Sequence, residues 1–422
     1  MSSKDVDINT DNNTDVIISP NVDKNSNVFD KNNSLEHFEI ISFDSNSKAR
    51  AGILKLPSGK NVETPFFMPV MTKGVAKNLS QEMLWDTGTR CGISNSFVLT
   101  LKPGVKFVKE MGGIHKLSNW KGALFTDSGG FQMLSKTFFR SIDNEGVSFL
   151  NPYQGKVFKL SPEDSMKNQL DIGSDVAMAL DHVPAHYGMT YDKMIEHINR
   201  TNYWAVRCKL EHDKLQTVDG ELKKKQLLFG INQGGVYNDL RKISSEFMNK
   251  VGFDGIAFGG FCFGESDDEM YKGIEASKSG VDIKYPIYIM GMGHPVQILE
   301  SISLGCDCFD STFPTMSARR GTLFTRKGNL RIKTKEFKFD KNPIEENCDC
   351  YTCKNYSRAY VKYLLDMNEN FGKTLATIHN VRFMQKLLSD ARTAIIENRF
   401  YEFKEDFKKN FKKSNENRFM YK

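Results

Sequence analysis

What the sequence lacks narrows the field before any motif is read. No stretch approaches the about 18 consecutive apolar residues of a membrane-spanning helix, so a soluble protein is expected. No apolar segment opens the chain and its first 48 residues contain no Arg, which argues against a secretory signal and an Arg-rich transit peptide. The expected address is the cytoplasm. Cysteine is sparse, 8 in 422 residues, and three of the eight are bunched, so a disulfide framework does not organise the chain. No Gly-x-Gly-x-x-Gly turn follows the first strand-like segment of the α/β part, which disfavours a dinucleotide fold. No His-x-His pair occurs anywhere, which disfavours an amidohydrolase-type catalytic metal.

Residues 1–35 lack aromatics except Phe29 and are dominated by Asn, Asp and Ser. Such a segment cannot bury enough surface to offset its chain entropy, and a disordered tail is expected. Charge is distributed unevenly under the net +6: residues 1–36 hold three Lys against seven acids, whereas 319–422 hold 24 Lys and Arg against 13 Asp and Glu. The last quarter is where a polyanion would be gripped, the alternative being a solvated helical surface.

After the tail, residues 38–43 and 51–56 read as strands, with Pro57-Ser58-Gly59-Lys60 as a hairpin connection; they are placed to cap one end of a barrel. Eight short apolar strands then alternate with helical patterns, at 65–70, 92–99, 123–126, 175–180, 227–231, 255–258, 286–290 and 306–309. That alternation predicts an α/β fold, a closed (β/α)8 TIM barrel with N-terminal antiparallel strands. Asp127, Asp181, Gln233, Gly259-Gly260, Met290 and Asp310 all fall at or just past C-terminal strand ends, the rim on which barrel enzymes build active sites.

Within Asp127-Ser128-Gly129-Gly130-Phe131-Gln132, a carboxylate and a hydroxyl sit beside two glycines that let the backbone approach a flat ligand. Asp310, in Phe309-Asp310-Ser311-Thr312-Phe313-Pro314-Thr315, supplies a second carboxylate on the last strand. Two carboxylates around one pocket suit displacement at an anomeric carbon, one attacking and one exchanging protons with the leaving group; the alternative is a pair of buried acids bonded to barrel amides. Cys348, Cys350 and Cys353 with His379 match a closed tetrahedral zinc site, structural because no position is left for a catalytic water. The expected layout is a tail at 1–35, a barrel catalytic domain at 36–335, a zinc-binding subdomain completing the barrel at 336–400, and a basic C-terminal helix or tail at 401–422.

These motifs, with Gln233-Gly234-Gly235, Met290-Gly291 and Pro314-Thr315, make the chain resemble the tRNA-guanine transglycosylases from roughly Phe38 to Phe400, most nearly the catalytic subunit of queuine tRNA-ribosyltransferase. The resemblance implies a ping-pong exchange of guanine 34 for queuine in tRNAs with GUN anticodons, those for Asp, Asn, His and Tyr, with one structural Zn2+ and no ATP or redox cofactor. It implies Asp310 as nucleophile on ribose C1′ and Asp127 as general acid and base. Ser128, Asp181, Gln233, Gly259 and Gly260 would line the base pocket, with Asp181 and Gln233 on the base edge and the Gly260 amide on its carbonyl. Phe131 and Met290 would sandwich the ring, Arg319 and Arg320 would meet phosphate, and the working form would be a homodimer or a heterodimer with a non-catalytic paralogous subunit.

Some positions depart from the family's usual pattern. Ser96-Phe97-Val98 stands where Thr-Tyr-His is common, His182 where an acid is usual, Met316 where a basic residue is often found, and Phe261 where Leu is. Phe263 occupies a site usually small in queuine users, while Val183 matches them. The alternatives are the same exchange with a smaller 7-deazaguanine precursor (preQ1), a non-catalytic tRNA-binding subunit, a D-arm archaeosine-type enzyme and a sugar-processing barrel hydrolase. Asp127, Asp181 and Asp310 speak against the non-catalytic subunit.

Overall fold

The computed structural model describes residues 37–184 and 188–411; the expected N-terminal tail and residues 412–422 of the basic C-terminal segment lie outside the described residues. Eight parallel strands, Phe66–Pro69, Cys91–Asn95, Ala123–Asp127, Val176–Met178, Leu227–Asn232, Gly255–Phe258, Ile287–Ile289 and Cys308–Ser311, form one sheet in which chain neighbours are sheet neighbours. The last strand pairs with the first, and a parallel bridge from Val70 to Ile93 joins the first to the second. The sheet thereby closes on itself as the alternation predicts.

The strands are short and β-branched or aromatic because both faces are covered. Inward side chains such as Phe66, Met68, Ile93, Phe125, Phe229 and Tyr288 fill the barrel; outward ones pack under the surrounding helices. A three-stranded antiparallel sheet, Phe38–Phe43, Arg50–Lys55 and Asn61–Thr64, closes the N-terminal end, its Phe38, Leu54 and Val62 joining the barrel interior. The third of these strands, after the hairpin at Pro57–Lys60, was not read from sequence. Among the described residues no helix is long and apolar enough to cross a membrane.

One strand assignment needs correction. The run predicted as strand over 92–99 splits at Asn95, where the strand ends and helix Ser96–Leu101 begins. The Asn95 carboxamide accepts the Val98 N–H at 2.8 Å, satisfying an orphan donor of the first turn as an N-cap does. The apolar Phe97-Val98-Leu99 run carried no periodicity to separate helix from strand.

Between the third and fourth barrel strands lies an insertion that the strand count passed over, a second antiparallel sheet of Phe139–Asp143, Gly146–Asn151 and Lys156–Leu160. At the other end of the chain, the 27-residue helix Asn370–Ile396 packs on helix Phe313–Arg320 and the first barrel strand. Its Gln385 donates to the Phe67 carbonyl at 3.0 Å and its Asn380 receives the Phe324 N–H at 3.0 Å. Helix Phe400–Asn410 follows, held by buried Phe400 and Phe407.

Candidate active site and metal centre

The C-terminal mouth of the barrel gathers three aspartates from three strands. Asp127 ends its strand, and each of its oxygens is held: Asn95 Nδ2 donates to Oδ2 at 3.0 Å, and the Gly129 N–H reaches Oδ1 at 3.4 Å. The Ser96 hydroxyl fixes the Asp127 carbonyl at 2.7 Å. Burial, with the charge of Asp310 adding to it, pushes the Asp127 carboxyl up to about 6 against the pull of these donors. A carboxyl so placed trades a proton near neutral pH, the requirement for general acid-base work.

Asp310 lies within the last strand. One oxygen is occupied: Oδ1 accepts the Tyr288 hydroxyl at 2.6 Å and the Gly291 N–H at 2.8 Å. Oδ2 carries no hydrogen bond among the described residues. Burial raises the Asp310 carboxyl while Tyr288 and Gly291 oppose the rise. The Tyr288 phenol is driven far upward by burial and by Asp310 itself, so it remains a donor.

Asp181, just past its strand, is buried and accepts Gln233 Nε2 at 2.6 Å on Oδ2. Burial, helped by the Asp127 charge, pushes it up to about 7 despite that bond. The pair leaves two polar atoms unanswered at the same mouth, Gln233 Oε1 and Ser128 Oγ, both buried without a partner. Buried polar atoms in native proteins are paired as a rule, and unpaired ones clustered in a cleft mark where a ligand completes the bonding. Glycine is required around them: a Cβ on Gly130 would sit 2.4 Å from Asp181 Oδ1, and one on Gly259 or Gly260 would press on the Gln233 amide at 2.5 or 2.6 Å.

The remaining predicted residues fall around this group. Phe131 is half exposed and its ring lies 6.3 Å from that of Phe263. Met290, part-buried, packs against the top of the barrel interior. Val183 is buried and would be 3.3 Å from a Cβ on Gly130. Arg319 and Arg320 end the short helix that follows Asp310; burial, with the neighbouring Arg320 charge, lowers Arg319, and its Nη1 has no partner. His182 does not replace the family's acid as a charge. Burial, then His197 and Arg200, drive it down to about 3, so it is a neutral ring stacked 3.5 Å from His197.

Sequence reasoning missed Asn95, Tyr288 and Arg241 as parts of this site. Asn95 and Tyr288 each stand at or near a strand end, the signal that found the aspartates. Arg241 sits on a helix and reaches the rim only through its long side chain.

Away from the mouth, Cys348, Cys350, Cys353 and His379 bring their ligand atoms within 4.8 Å of one another. The three sulfurs lie 3.7, 3.7 and 3.3 Å from His379 Nδ1. Metal–sulfur bonds of about 2.3 Å and metal–nitrogen bonds of about 2.1 Å give a tetrahedron with edges of about 3.6–3.8 Å, close to the observed separations, so the donor set fits a tetrahedral ion. The tautomer fits too: His379 Nε2 lies 2.7 Å from the Phe324 carbonyl, which takes the ring proton and leaves Nδ1 as ligand, the usual outer-shell arrangement. These four residues can hold one metal ion, and the site has no open position.

A family model described as "Queuine tRNA-ribosyltransferase" matches residues 44–413. A protein named Queuine tRNA-ribosyltransferase from Lysinibacillus sphaericus (strain C3-41) is 42% identical over 370 residues, spanning 88% of this chain and 94% of that protein. A protein of the same name from Staphylococcus aureus (strain JH9) is 43% identical over 370 residues, 88% of this chain and 95% of its own length. A match of that extent, over a closed barrel with three mouth aspartates and a Cys3His group, places this chain in the queuine tRNA-ribosyltransferase family.

Proposed function

We propose that the chain exchanges guanine 34 of tRNAs with GUN anticodons, those for Asp, Asn, His and Tyr, for queuine through a covalent aspartyl-ribose intermediate. The observation that carries this reading is the asymmetry of Asp310, one oxygen held by two donors and the other left toward a mouth shared with Asp127 at about 6. Asp310 Oδ2 attacks ribose C1′ and the bond from C1′ to the base nitrogen breaks, the electrons leaving with guanine and Asp127 supplying its proton. In the second half the incoming base gives its proton to Asp127 and displaces Asp310 from C1′. No redox or nucleotide cofactor is needed for either half.

The base must leave its stack to reach these groups, and a flipped base is read by edge bonds and stacking. Asp181 and the unanswered Gln233 Oε1 suit the donor edge of guanine, the Gly260 N–H suits its carbonyl, and Phe131 and Met290 suit its faces. Ser128 and Gly259 complete the pocket wall. Arg319 and Arg320, which end the helix that follows Asp310, are assigned to phosphate. The Cys3His group is assigned one zinc ion, whose contribution is to cross-link the C-terminal segment. The exposed rings Tyr351, Tyr360 and Tyr363 beside it suit burial against a second subunit, identical or paralogous. The work is assigned to the cytoplasm.

A second reading concerns the incoming base alone. Phe263 walls a hollow that is also lined by Met189, Gly235, Gly260 and Glu265, and its ring favours a base smaller than queuine, such as preQ1. Incubation of the full chain with tRNA carrying labelled guanine, with queuine and preQ1 offered separately, tests both readings. Label release driven by queuine supports the proposal; release with preQ1 alone selects the second reading; release with neither overturns base exchange.

A further inference from the structure

Arg241 is a fully buried guanidinium that faces backbone carbonyls rather than a carboxylate. From helix Asn238–Val251 its Nε donates to the Gly235 carbonyl at 2.8 Å, its Nη1 to the Gly259 carbonyl at 2.6 Å and its Nη2 to the Gly260 carbonyl at 3.1 Å. One side chain thus ties the loops that follow two adjacent barrel strands, Leu227–Asn232 and Gly255–Phe258. The guanidinium Cζ lies 3.8 Å from the Phe261 ring centroid, so one face of the group is covered by a cation–π contact. Burial lowers Arg241 to about 9, which still leaves it charged at neutral pH.

Such a residue is costly, since a buried charge must be met by well-aimed partners. Its geometry explains what it returns. A trans peptide is planar and its C=O and N–H point in opposite directions. Gripping the Gly259 carbonyl therefore turns the Gly260 N–H away from Arg241, and gripping the Gly260 carbonyl does the same to the Phe261 N–H. Gly260 takes φ +72°, the left-handed conformation that lets two successive carbonyls converge on one side and two successive N–H groups on the other, a concavity for a negative or carbonyl oxygen. The following two N–H groups, of Cys262 and Phe263, are held instead by the Glu265 carboxylate. The donors left to the mouth are those that Arg241 orients.

We propose that Arg241 is the positioning residue for recognition of the base's carbonyl oxygen: it aims the Gly260 N–H, with the Phe261 N–H beside it, into the base pocket. The inference rests on the reading that the Gly260 N–H bonds that oxygen. Guanine and 6-thioguanine test it, because the second keeps the N–H and amino edge and changes only the carbonyl oxygen to sulfur, a poorer acceptor. For the wild type, KM for guanine is expected to lie well below the inhibition constant of 6-thioguanine. In Arg241→Met the guanine KM should rise about 10–100-fold, the worth of a lost bond to a buried acceptor, while 6-thioguanine changes less than about threefold. Phe261→Leu, which uncovers the guanidinium without removing it, should shift the ratio the same way by about two- to tenfold and serves if Arg241→Met does not fold. Equal weakening of both bases, or unchanged discrimination in these variants, overturns the role of Arg241. A wild type that does not discriminate between the two bases overturns instead the reading of Gly260 on which it rests.

Discussion

The two ends of the barrel treat the same side chain in opposite ways. At the N-terminal floor, Asp175, Asp254 and Asp307 each stand immediately before a barrel strand, and each accepts an N–H from the first or second residue of the neighbouring strand: Leu124 at 2.9 Å, Leu228 at 3.0 Å and Ile287 at 2.7 Å. Each also has a cation. Asp175 meets Lys60 and His115, Asp254 meets Lys224, and Asp307 takes Arg50 through two nitrogens at 3.0 and 2.6 Å. Burial would raise Asp175 and Asp254, yet their partners hold both below the usual carboxylate range. At the mouth, Asp127, Asp181 and Asp310 are met by amides and one phenol, with no cation in contact among the described residues, and all three are pushed upward.

The difference teaches what each end is for. A carboxylate matched by a cation and a backbone N–H is fixed as an anion, and on the floor it pins strand to strand. A carboxyl buried without a counter-charge has its proton affinity raised, to about 6 at Asp127, which suits the proton carrier proposed there. The linkage signs are opposite as well. Asp175 and Asp254 add stability above their ordinary pKa, and it is lost as pH falls through their depressed values. Asp127 and Asp181 favour the fold when protonated, and that contribution is lost as pH rises through about 6 and about 7.

Four substitutions sharpen or break this contrast, and the largest effect among the first three belongs to Asp127. Asp127→Ala should slow base exchange by about 10²–10⁴-fold, the usual worth of a positioned proton-transfer group, with tRNA binding retained; unchanged turnover would assign the proton to another group. Asp307→Ala should cost about 3–5 kcal/mol of stability, because it leaves the Arg50 charge buried and unmatched; chemical denaturation reads this, and a loss under 1 kcal/mol would remove the floor from the account. Asp181→Asn should gain stability at pH 8, by about 1–4 kcal/mol for a carboxyl otherwise held at about 7, and the gain should vanish below about pH 4. A loss of equal size at both pH values would show that Asp181 is matched after all.

Much of the mouth was legible in the sequence because its residues follow short apolar strands directly, and a polar residue at that boundary has few structural reasons to be there. Asp127, Asp181, Gln233 and Asp310 are all of this kind. The floor was not legible. Asp307 gains its meaning from Arg50, 257 residues away, and an Asp before a strand looks like any turn residue until that partner is found. Arg241 was hidden for a related reason, since a helix arginine reads as surface charge unless the carbonyls it holds are known. The insertion sheet over Phe139–Leu160 is hidden in the sequence because its two hairpins interrupt the alternation of strands with helices. The helix at Ser96–Leu101 reads as strand in the sequence because its short apolar run shows no helical period.

The central claim is that Asp310, with one oxygen held and one left open, bonds to ribose. The direct measurement is denaturing electrophoresis of the full chain mixed with labelled tRNA, alongside Asp310→Asn at equal bound tRNA. The account predicts a label that stays with the wild-type protein through denaturation and is discharged by added base, and none with Asp310→Asn, whose amide matches the carboxylate in shape but is a poor nucleophile. Adduct at the wild-type level in Asp310→Asn would contradict it.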